Sequence, residues 1–263
     1  MQRHWLLVDI GNTHTVVGLA LPGSGVRDLT EIRFRTDPHA TADEYRLLLT
    51  QLLRQKWAEF EWRQVERAVI SSVVPSLESA LRQALSPEVP CLFISHDTRR
   101  EFELELPVPS SLGADRLANV AGALAMTQGP LLIVDAGTAT TFCLVDSRRR
   151  YLGGAIVPGL DTSWKALQAR AAKLFSVQLI RPASALGNTT ETQLQSGVLH
   201  GYEALIEGLT DRLVSEAQAL GHFENPTYFA TGGIVNLLKL SSKFRFEPGL
   251  TLAGLLRYGE LTQ

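Results

Sequence analysis

The chain has 263 residues, of which 45% are hydrophobic, so it is long enough for one large domain or two of moderate size with real cores. It carries 25 basic and 27 acidic residues, and because no basic run is longer than Arg148–Arg150, nucleic acid is not an expected partner. No apolar stretch reaches the roughly 18 residues of a membrane span, and the apolar run near the N-terminus includes Asp9, which is unlike a signal peptide. We therefore expect a cytoplasmic protein with no membrane partner.

The chain begins with an apolar strand that runs into a polar turn, in the sequence WLLVDIGNT over Trp5–Thr13. Gly11 lets the backbone come close to a ligand, short polar side chains can donate to phosphate oxygens, and Asp9 offers hard oxygen atoms to a cation. An ordinary strand-to-hairpin turn uses the same residue types, so this motif alone leaves both interpretations open. Two further strands are predicted, over Thr15–Leu21 and Leu29–Thr36.

Helices and strands then alternate as far as Ser95. Thr41 and Glu44 have the spacing of a capping box and predict an amphipathic helix that ends near Trp57. The segments that follow are predicted in turn as a strand, a helix and a strand: Arg67–Val74, Pro75–Leu85 and Pro90–Ser95. This alternation predicts a mixed or parallel sheet with covering helices.

A polar stretch with several prolines, His96–Leu112, interrupts this pattern and is predicted to be a loop. It ends at Gly113–Arg116 (GADR), which opens a helix of small residues that stops before Gly129. The helix macrodipole favours an ionised acid in the first turn, so capping alone explains Asp115 and predicts a low pKa for it. Its place just ahead of the next strand-and-turn motif favours a functional role.

That next motif, LLIVDAGTATT, repeats the design of the N-terminus over Leu131–Thr141. An apolar strand ends in Asp135, a glycine turn follows, and Thr138 can donate to a phosphate. A hairpin turn is again the alternative for this copy taken by itself. Two such copies, each followed by an alternating run, predict two like-built α/β halves that face one nucleotide, as in duplicated kinases and ATPases.

The rest of the chain is predicted to contain two strands and four helices. These elements are a strand over Tyr151–Leu160, a helix from about Asp161, a helix over Glu191–Leu220, a strand over Thr227–Thr231, a Gly232-Gly233 turn leading into a helix, and a helix from about Thr251. The long helix has an apolar seam with spacings of three and four residues, formed by Leu194, Val198, Tyr202, Leu205, Leu209, Leu213, Ala217 and Leu220. This seam can pack within the subunit or against a partner. We expect a dimer interface that buries parts of this helix and of the helix that opens at Gly113.

Taken in order over nearly the whole chain, these motifs resemble those of the type III pantothenate kinases, in the superfamily of acetate and sugar kinases, Hsp70 and actin. The resemblance rests on VDIGNTHT, TADEYRLLL, ISSVVPSLE, LGADR, VDAGTATTF, YLGGAIVPGL, RAAKL, QSGVLHGY, ATGG and PGLTLAGL. It implies an α/β fold of duplicated ribonuclease H-like (actin-like ATPase) halves with mixed sheets and covering helices. We place these halves at residues 1–112 and 113–263.

The resemblance also implies an activity. This is transfer of the γ-phosphoryl group of ATP to the primary alcohol of pantothenate, which gives 4'-phosphopantothenate in the first step of coenzyme A biosynthesis. A homodimer, Mg²⁺ and a monovalent cation, K⁺ or NH₄⁺, are implied with it. Two other functions stay open: a kinase of another small hydroxy acid, and a non-catalytic ATP-binding accessory or regulatory protein.

Roles for single residues follow from the same resemblance. Asp9 is expected to hold the divalent metal with ATP, Asp135 to coordinate the monovalent cation, and Asp115 to bind pantothenate and act as the base. The other expected ATP-binding residues are Gly11, Asn12, Thr13, His14, Thr15, Thr138, Gly232 and Gly233. The other expected pantothenate-binding residues are Gly113, Ala114, Arg116 and Thr190.

The chain departs from the family pattern at two places. Leu106 and then Val108-Pro109 stand where the family has a Tyr followed by Asn-Pro, and Thr189 stands where Asn is expected. Both departures concern substrate binding rather than the reaction.

Overall fold

The computed structural model describes residues 3–24, 30–85, 88–170 and 177–263. In chain order, its strands are β1 (His4–Ile10), β2 (His14–Ala20), β3 (Thr30–Arg35), β4 (Val65–Ser72), β5 (Cys91–Phe93), β6 (Glu103–Leu104), β7 (Leu131–Ala136), β8 (Ala139–Val145), β9 (Arg150–Pro158), β10 (Thr227–Thr231) and β11 (Phe244–Phe246). Its α-helices are α1 (Ala42–Lys56), α2 (Pro75–Leu85), α3 (Ala114–Met126), α4 (Leu160–Arg170), α5 (Thr190–Ala219) and α6 (Leu250–Leu261). No helix in these described ranges is long and apolar enough to cross a membrane.

The chain forms two compact units, each with its own mixed sheet. Unit 1 comprises residues 1–127 and 249–263, and unit 2 comprises residues 128–248. In unit 1 the strand order is β3-β2-β1-β4-β5. Strand β2 is antiparallel to both β3 and β1, whereas β4 is parallel to β1 and β5 is parallel to β4. The part of the second sheet that lies in unit 2 has the order β9-β8-β7-β10-β11, again with three antiparallel strands and two added in parallel.

The two sheets therefore repeat one topology, and the repeat extends to single residues. In β1 and in β7, four buried residues precede a half-buried aspartate, Asp9 or Asp135, and a further buried residue. The hairpin partners β2 and β8 share the burial pattern of one exposed, one buried, one half-buried and four buried residues. This duplication confirms the prediction of two like-built α/β halves with mixed sheets.

The core of unit 1 lies on one face of its sheet, between the strands and helices α1 and α2. Alternate β1 residues, Leu6, Val8 and Ile10, join this core, which follows from the period of two in a strand. The predicted capping box at the start of α1 is present, because Thr41 accepts from the Glu44 amide and the Glu44 carboxylate accepts from the Thr41 amide. These contacts begin the helix where the sequence predicts it.

Helices α3 and α6 pack on one another by close backbone contact. A Cβ atom on Gly122 would overlap the carbonyl oxygen of Leu250, and one on Gly254 would overlap that of Ala118. The buried Asn119 also accepts a hydrogen bond of 2.8 Å from the Thr251 hydroxyl through its Oδ1 atom. Glycine is needed where two helix backbones approach this closely.

The two compact units differ from the predicted halves, 1–112 and 113–263, because α3 packs within unit 1. Helix α3 and the C-terminal α6 both belong to unit 1, so the described division falls after residue 127 and the chain returns to unit 1 at residue 249. Helix α6 covers the second face of the first sheet, where a Cβ on Gly259 would crowd Trp5 and Val69. Contacts between segments more than 120 residues apart leave no local signal in a sequence.

Three predicted segments differ in detail from the structure. The predicted loop His96–Leu112 contains the short strand β6 and a 3₁₀ turn, Pro109–Ser111. The helix predicted after Gly233 is only a 3₁₀ turn, Val235–Leu237. Leu29, predicted as the start of β3, and the last four residues of the RAAKL motif lie outside the described residues.

The apolar seam predicted on α5 is only partly right. Tyr202 and Ala217 are buried as expected, but Leu205 is 40% exposed and Leu220 75% exposed. The buried face of the helix carries polar residues: Gln195, Ser196, Glu203 and Thr210. The Gln195 side chain donates a hydrogen bond of 2.9 Å to the Gln178 carbonyl, and Glu203 pairs with Arg181. Partnered polar side chains therefore occupy some of the core-facing positions, which an apolar pattern cannot identify.

Candidate active site

The first polar turn joins β1 to β2 in unit 1 and is held by backbone and threonine hydrogen bonds. The Gly11 amide donates to the His14 carbonyl at 3.0 Å, and the Thr36 hydroxyl donates to the Gly11 carbonyl at 2.8 Å. Asn12, Thr13 and His14 are exposed, as a phosphate-binding turn requires. Thr15 is fully buried and its hydroxyl lies 3.0 Å from that of Thr36, so its side chain supports the turn from inside.

The GADR motif lies at the same end of the unit 1 sheet. Gly113 precedes α3, and a Cβ on it would lie 2.6 Å from Asp115 Oδ1 and 3.6 Å from Val73 Cγ1. Val73, just after β4, donates its amide to the Ile10 carbonyl at 3.0 Å. The structure therefore brings the start of α3 to the strand ends that carry the Asp9 turn, within one unit.

Asp115 is half-buried at the start of α3, and its Oδ1 atom accepts a hydrogen bond of 2.7 Å from the Arg116 amide. Desolvation by the surrounding protein raises the pKa of the Asp115 carboxyl, although that hydrogen bond and the Arg116 charge lower it. The expectation of a low pKa from the helix macrodipole is thus wrong in direction. A raised pKa improves the match between a carboxylate and the task of accepting a proton.

The second polar turn, between β7 and β8 in unit 2, is shorter than the first by one residue. The Gly137 amide donates to the Ala139 carbonyl, two residues later, at 3.1 Å. The corresponding hydrogen bond of the first turn joins Gly11 to His14, three residues later. The Thr138 side chain is exposed, and the Thr138 carbonyl accepts from the Gly159 amide at 3.0 Å and from the Thr162 hydroxyl at 2.7 Å. These bonds tie the turn to the start of α4.

Two glycines allow other backbone segments to lie directly on this second turn. A Cβ on Gly159 would overlap the Gly137 carbonyl, so the glycine of the VPG sequence serves a backbone contact. Gly232 has a φ of +101°, and a Cβ on it would lie 2.5 Å from the Ala136 carbonyl oxygen. The predicted Gly232-Gly233 turn therefore lies against the turn of Asp135 and Thr138, with Gly233 exposed.

Tyr202 on α5 lies beside the second turn and was predicted only as part of the apolar seam. Its hydroxyl is hydrogen-bonded to the buried Thr140. Burial raises the pKa of the Tyr202 hydroxyl, and the Asp135 carboxylate raises it further by its charge. Tyr202 is thus a neutral hydroxyl near Asp135 at neutral pH.

The remaining predicted substrate residues lie at the starts of helices. Ala114 is buried in the first turn of α3, and Arg116 is half-buried beside it. Thr190 is the exposed first residue of α5, and the preceding Thr189 caps that helix by accepting from the Thr192 amide at 3.2 Å. The hydroxyl of Thr189 is thereby used locally, whereas the side chain of Thr190 faces solvent.

Sequence reasoning missed two buried hydroxyl residues that lie opposite the aspartates. Ser71 pairs with Asp9 between the parallel strands β4 and β1, and Thr231 pairs with Asp135 between β10 and β7. Both are at most 1% exposed. In the sequence, each of them is a hydroxyl residue near the end of an apolar strand, Ser71 in ISSVVP and Thr231 in ATGG. This pattern could have indicated them.

The donor set fits a magnesium ion that is held mainly by phosphates and water. Within the described residues, no group of three or more His, Cys, Asp or Glu side chains could hold a metal ion. Mg²⁺ typically takes one or two carboxylates and completes its shell with substrate phosphates and water. Asp9, half-buried at the edge of an exposed turn, can supply such a single carboxylate.

Three solved structures are similar to this chain over nearly its whole length. A protein from Campylobacter jejuni described as a Baf family transcriptional activator is 19% identical, with a TM-score of 0.57 and 96% of each chain covered. The ethanolamine utilization protein EutJ from Carboxydothermus hydrogenoformans is 10% identical, with a TM-score of 0.53 and 98% of this chain and 89% of that chain covered. MreB5 of Spiroplasma citri bound to ADP is 11% identical, with a TM-score of 0.51 and coverages of 99% and 96%.

At these identities the similarity concerns the fold alone, and that fold is the duplicated actin-like ATPase fold of the kinase superfamily. The sequence identifies the family more specifically than the fold does. A model of the type III pantothenate kinase family matches residues 5–212, which is most of the chain. The protein belongs to the type III pantothenate kinase family.

The raised pKa of Asp115 predicts how the Asp115→Asn variant changes stability with pH. Between the ordinary and the raised pKa the folded state binds more protons than the unfolded chain, so the stability of the wild type falls as pH rises through this window. We expect the free energy of unfolding of Asp115→Asn to equal or exceed that of the wild type at pH 7. The difference should disappear below about pH 3.9, the ordinary Asp pKa, where the acid is neutral in both states.

Urea unfolding of both proteins between pH 3 and pH 7 measures this difference. Asp43→Asn is the matched control, because Asp43 is also a first-turn acid but is exposed on α1. A clear loss of stability in Asp115→Asn at pH 7, with none at pH 3, would show that Asp115 stabilises the fold as an ion and contradict the raised pKa.

Proposed function

We propose that the protein transfers the γ-phosphoryl group of ATP to pantothenate and forms 4'-phosphopantothenate, the first step of coenzyme A biosynthesis, in the cytoplasm. The observation that carries this proposal is the position of Asp115. Asp115 lies in the first turn of α3, and its carboxylate is desolvated. This turn lies at the ends of β4 and β1, next to the Asp9 turn. An acceptor for an alcohol proton and a candidate phosphate turn thus lie at one end of one sheet.

In the proposed reaction, the pantothenate hydroxyl oxygen forms a bond to the γ-phosphorus, and the bond from that phosphorus to the bridging oxygen of ADP breaks. The hydroxyl proton passes to the Asp115 carboxylate. Phosphoryl transfer proceeds through a loose transition state, in which positioning and charge stabilisation contribute most of the rate. A carboxylate of modest basicity is therefore adequate, and the raised pKa of Asp115 makes it a better base than an ordinary aspartate.

The Asp9 turn is proposed to bind the phosphates. Its exposed residues Asn12, Thr13 and His14, with the Gly11 backbone, offer donors to phosphate oxygens. Mg²⁺, when bound, offsets the phosphate charge, and Asp9 is the residue that would hold it. Arg116, next to the base, is suited to pair with an anionic group of the substrate.

The unit 2 residues are proposed to act on ATP and a monovalent cation. Asp135 would hold K⁺ or NH₄⁺, because it is a half-buried carboxylate at the end of β7 with the neutral oxygen of Tyr202 nearby. Thr138, exposed on the same turn, would contact ATP. Gly232 and Gly233 would lie near the adenosine, since the turn they form permits close backbone approach.

The departures near residue 106 concern which alcohol is accepted. Leu106 is half-buried and Val108 is 57% exposed, so neither supplies the hydroxyl of the family Tyr. Thr190 offers an exposed hydroxyl at the start of α5.

A panel of small hydroxy acids with ATP, Mg²⁺ and K⁺, assayed by ADP release, tests which alcohol is the substrate. Turnover of another alcohol in preference to pantothenate would indicate a related kinase, and no turnover at all would favour a non-catalytic ATP-binding role.

Replacement of the proposed base provides the most direct test of mechanism. Asp115→Asn preserves the side-chain shape but cannot accept the proton, so we expect kcat to fall by roughly 10² to 10⁴. Affinity for ATP, measured by calorimetry, should stay within a few-fold of wild type. Asp43→Asn should leave kcat unchanged, and a folded Asp115→Asn variant with less than about a tenfold loss would eliminate the base role.

The role of Asp135 predicts a dependence on the monovalent cation. At constant ionic strength with ATP and Mg²⁺ saturating, replacing K⁺ by a bulky organic cation should strongly depress the rate, because the organic cation is too large for a carboxylate site. Asp135→Asn should be slow in both salts. Equal rates of the wild-type protein in the two salts would rule out this role for Asp135.

We also propose a homodimer, supported by the apolar surface of α5. Leu205 is 40% exposed, and Gly197, Gly201 and Gly208 have open space where a side chain would stand. Light scattering at micromolar concentration should give twice the 28.8 kDa chain mass. Leu205→Glu should shift the protein toward the monomer, whereas Leu237→Glu, at a 61% exposed site outside the helix, should not. A single-chain mass for the wild type would refute the dimer.

A further inference from the structure

Ser71, near the end of β4, has a buried hydroxyl group with no hydrogen-bond partner among the described residues. The residue is fully buried, and its Oγ atom is inaccessible to solvent. The adjacent Ser72 differs, since its hydroxyl donates to the Val74 carbonyl and accepts from the Val74 amide, both at 3.2 Å. Buried hydroxyls are normally bonded, so the isolated state of Ser71 needs an explanation.

The register of the sheet places Ser71 directly beside Asp9. The two residues are Cα partners in the parallel pair of β4 and β1, and neighbouring strands lie about 4.8 Å apart. Paired residues of parallel strands point to the same face, and the other face here holds Leu6, Val8 and Ile10 of the core. Asp9 Oδ1 is itself buried. The Ser71 hydroxyl and the Asp9 carboxylate are therefore neighbouring groups on one face of the sheet.

Unit 2 has the same arrangement, with one informative difference. Thr231 is the Cα partner of Asp135, is 1% exposed and thus puts a second buried hydroxyl beside a second strand-end carboxylate. The Thr231 hydroxyl donates to the Pro248 carbonyl at 3.4 Å. The repeated pairing of a hydroxyl with the aspartate indicates a common design, and of these two hydroxyls only that of Ser71 lacks a partner among the described residues.

We propose that Ser71 is a positioning residue for Asp9 in the complex with Mg²⁺ and ATP. Its hydroxyl donates to one oxygen of the Asp9 carboxylate and leaves the other oxygen directed to the cation. The proposal rests on the proposed function of the Asp9 turn. A hydrogen bond of this kind orients a ligand to a metal, and removing such a partner typically weakens metal affinity by about 10- to 100-fold.

The test compares Ser71→Ala with the wild type by calorimetric titration of ATP in the presence and absence of Mg²⁺. We expect the affinity for ATP with Mg²⁺ to fall about tenfold or more, and the Mg²⁺ concentration for half-maximal binding to rise in proportion. Binding of ATP without metal should stay unchanged. The urea midpoint should not fall, because the variant removes a buried hydroxyl that has no partner in the described ranges.

Two further variants separate the hydroxyl of Ser71 from general packing effects. Thr210→Val removes another fully buried hydroxyl, on α5, for which the described part of the chain offers no partner, and should not alter binding with Mg²⁺. Ser71→Thr keeps the hydroxyl, as Thr231 does in unit 2, and should stay within about threefold of the wild type. Equal losses in Ser71→Thr and Ser71→Ala would overturn the proposal.

Failure of this inference and failure of the proposed function give different results. If the wild type phosphorylates pantothenate and Ser71→Ala binds ATP with unchanged Mg²⁺ dependence, the role of Ser71 is wrong and the kinase stands. If the wild type binds ATP with Mg²⁺ but does not phosphorylate pantothenate, while Ser71→Ala still weakens that binding, the substrate is wrong and the role of Ser71 stands.

Discussion

The close backbone contact between α3 and α6 is the constraint on which the unit 1 site depends. Gly122 and Gly254 allow the two helices to touch, and α6 in turn lies on Trp5 and Val69 of the sheet. Helix α3 is thereby held with its first turn beside Val73, whose amide is bonded to the strand of Asp9. Larger residues at these glycines would displace α3, and the Asp115 carboxylate would move with it.

The duplication explains why the same chemistry recurs along the chain with small differences. Each sheet ends a central strand with an aspartate, continues into a glycine turn, and places a buried hydroxyl residue opposite the aspartate. The first turn is one residue longer and is supported by Thr36, whereas the second is held by Gly159 and Thr162. One design can therefore serve two ligands, because turn length and supporting contacts differ.

The sequence predicted the features that are local, and it failed where distant segments decide the outcome. Both strand-and-turn motifs, the capping box at Thr41 and the small-residue helix after Gly113 follow from adjacent residues, and the structure contains each of them. The unit boundary depends on α6, and the buried face of α5 depends on partners such as Arg181 for Glu203. The opposition of Ser71 to Asp9 depends on strand register, which the sequence alone does not fix.

Asp115 shows why a local rule can give the wrong sign for a pKa. The macrodipole and the Arg116 amide favour the ionised carboxylate, yet desolvation is the largest influence and raises the pKa. The packing that positions α3 also removes water from its first turn, so placement and basicity of the carboxylate share one physical cause. A carboxylate in this position lowers the stability of the fold at neutral pH, because it is ionised where water is largely excluded.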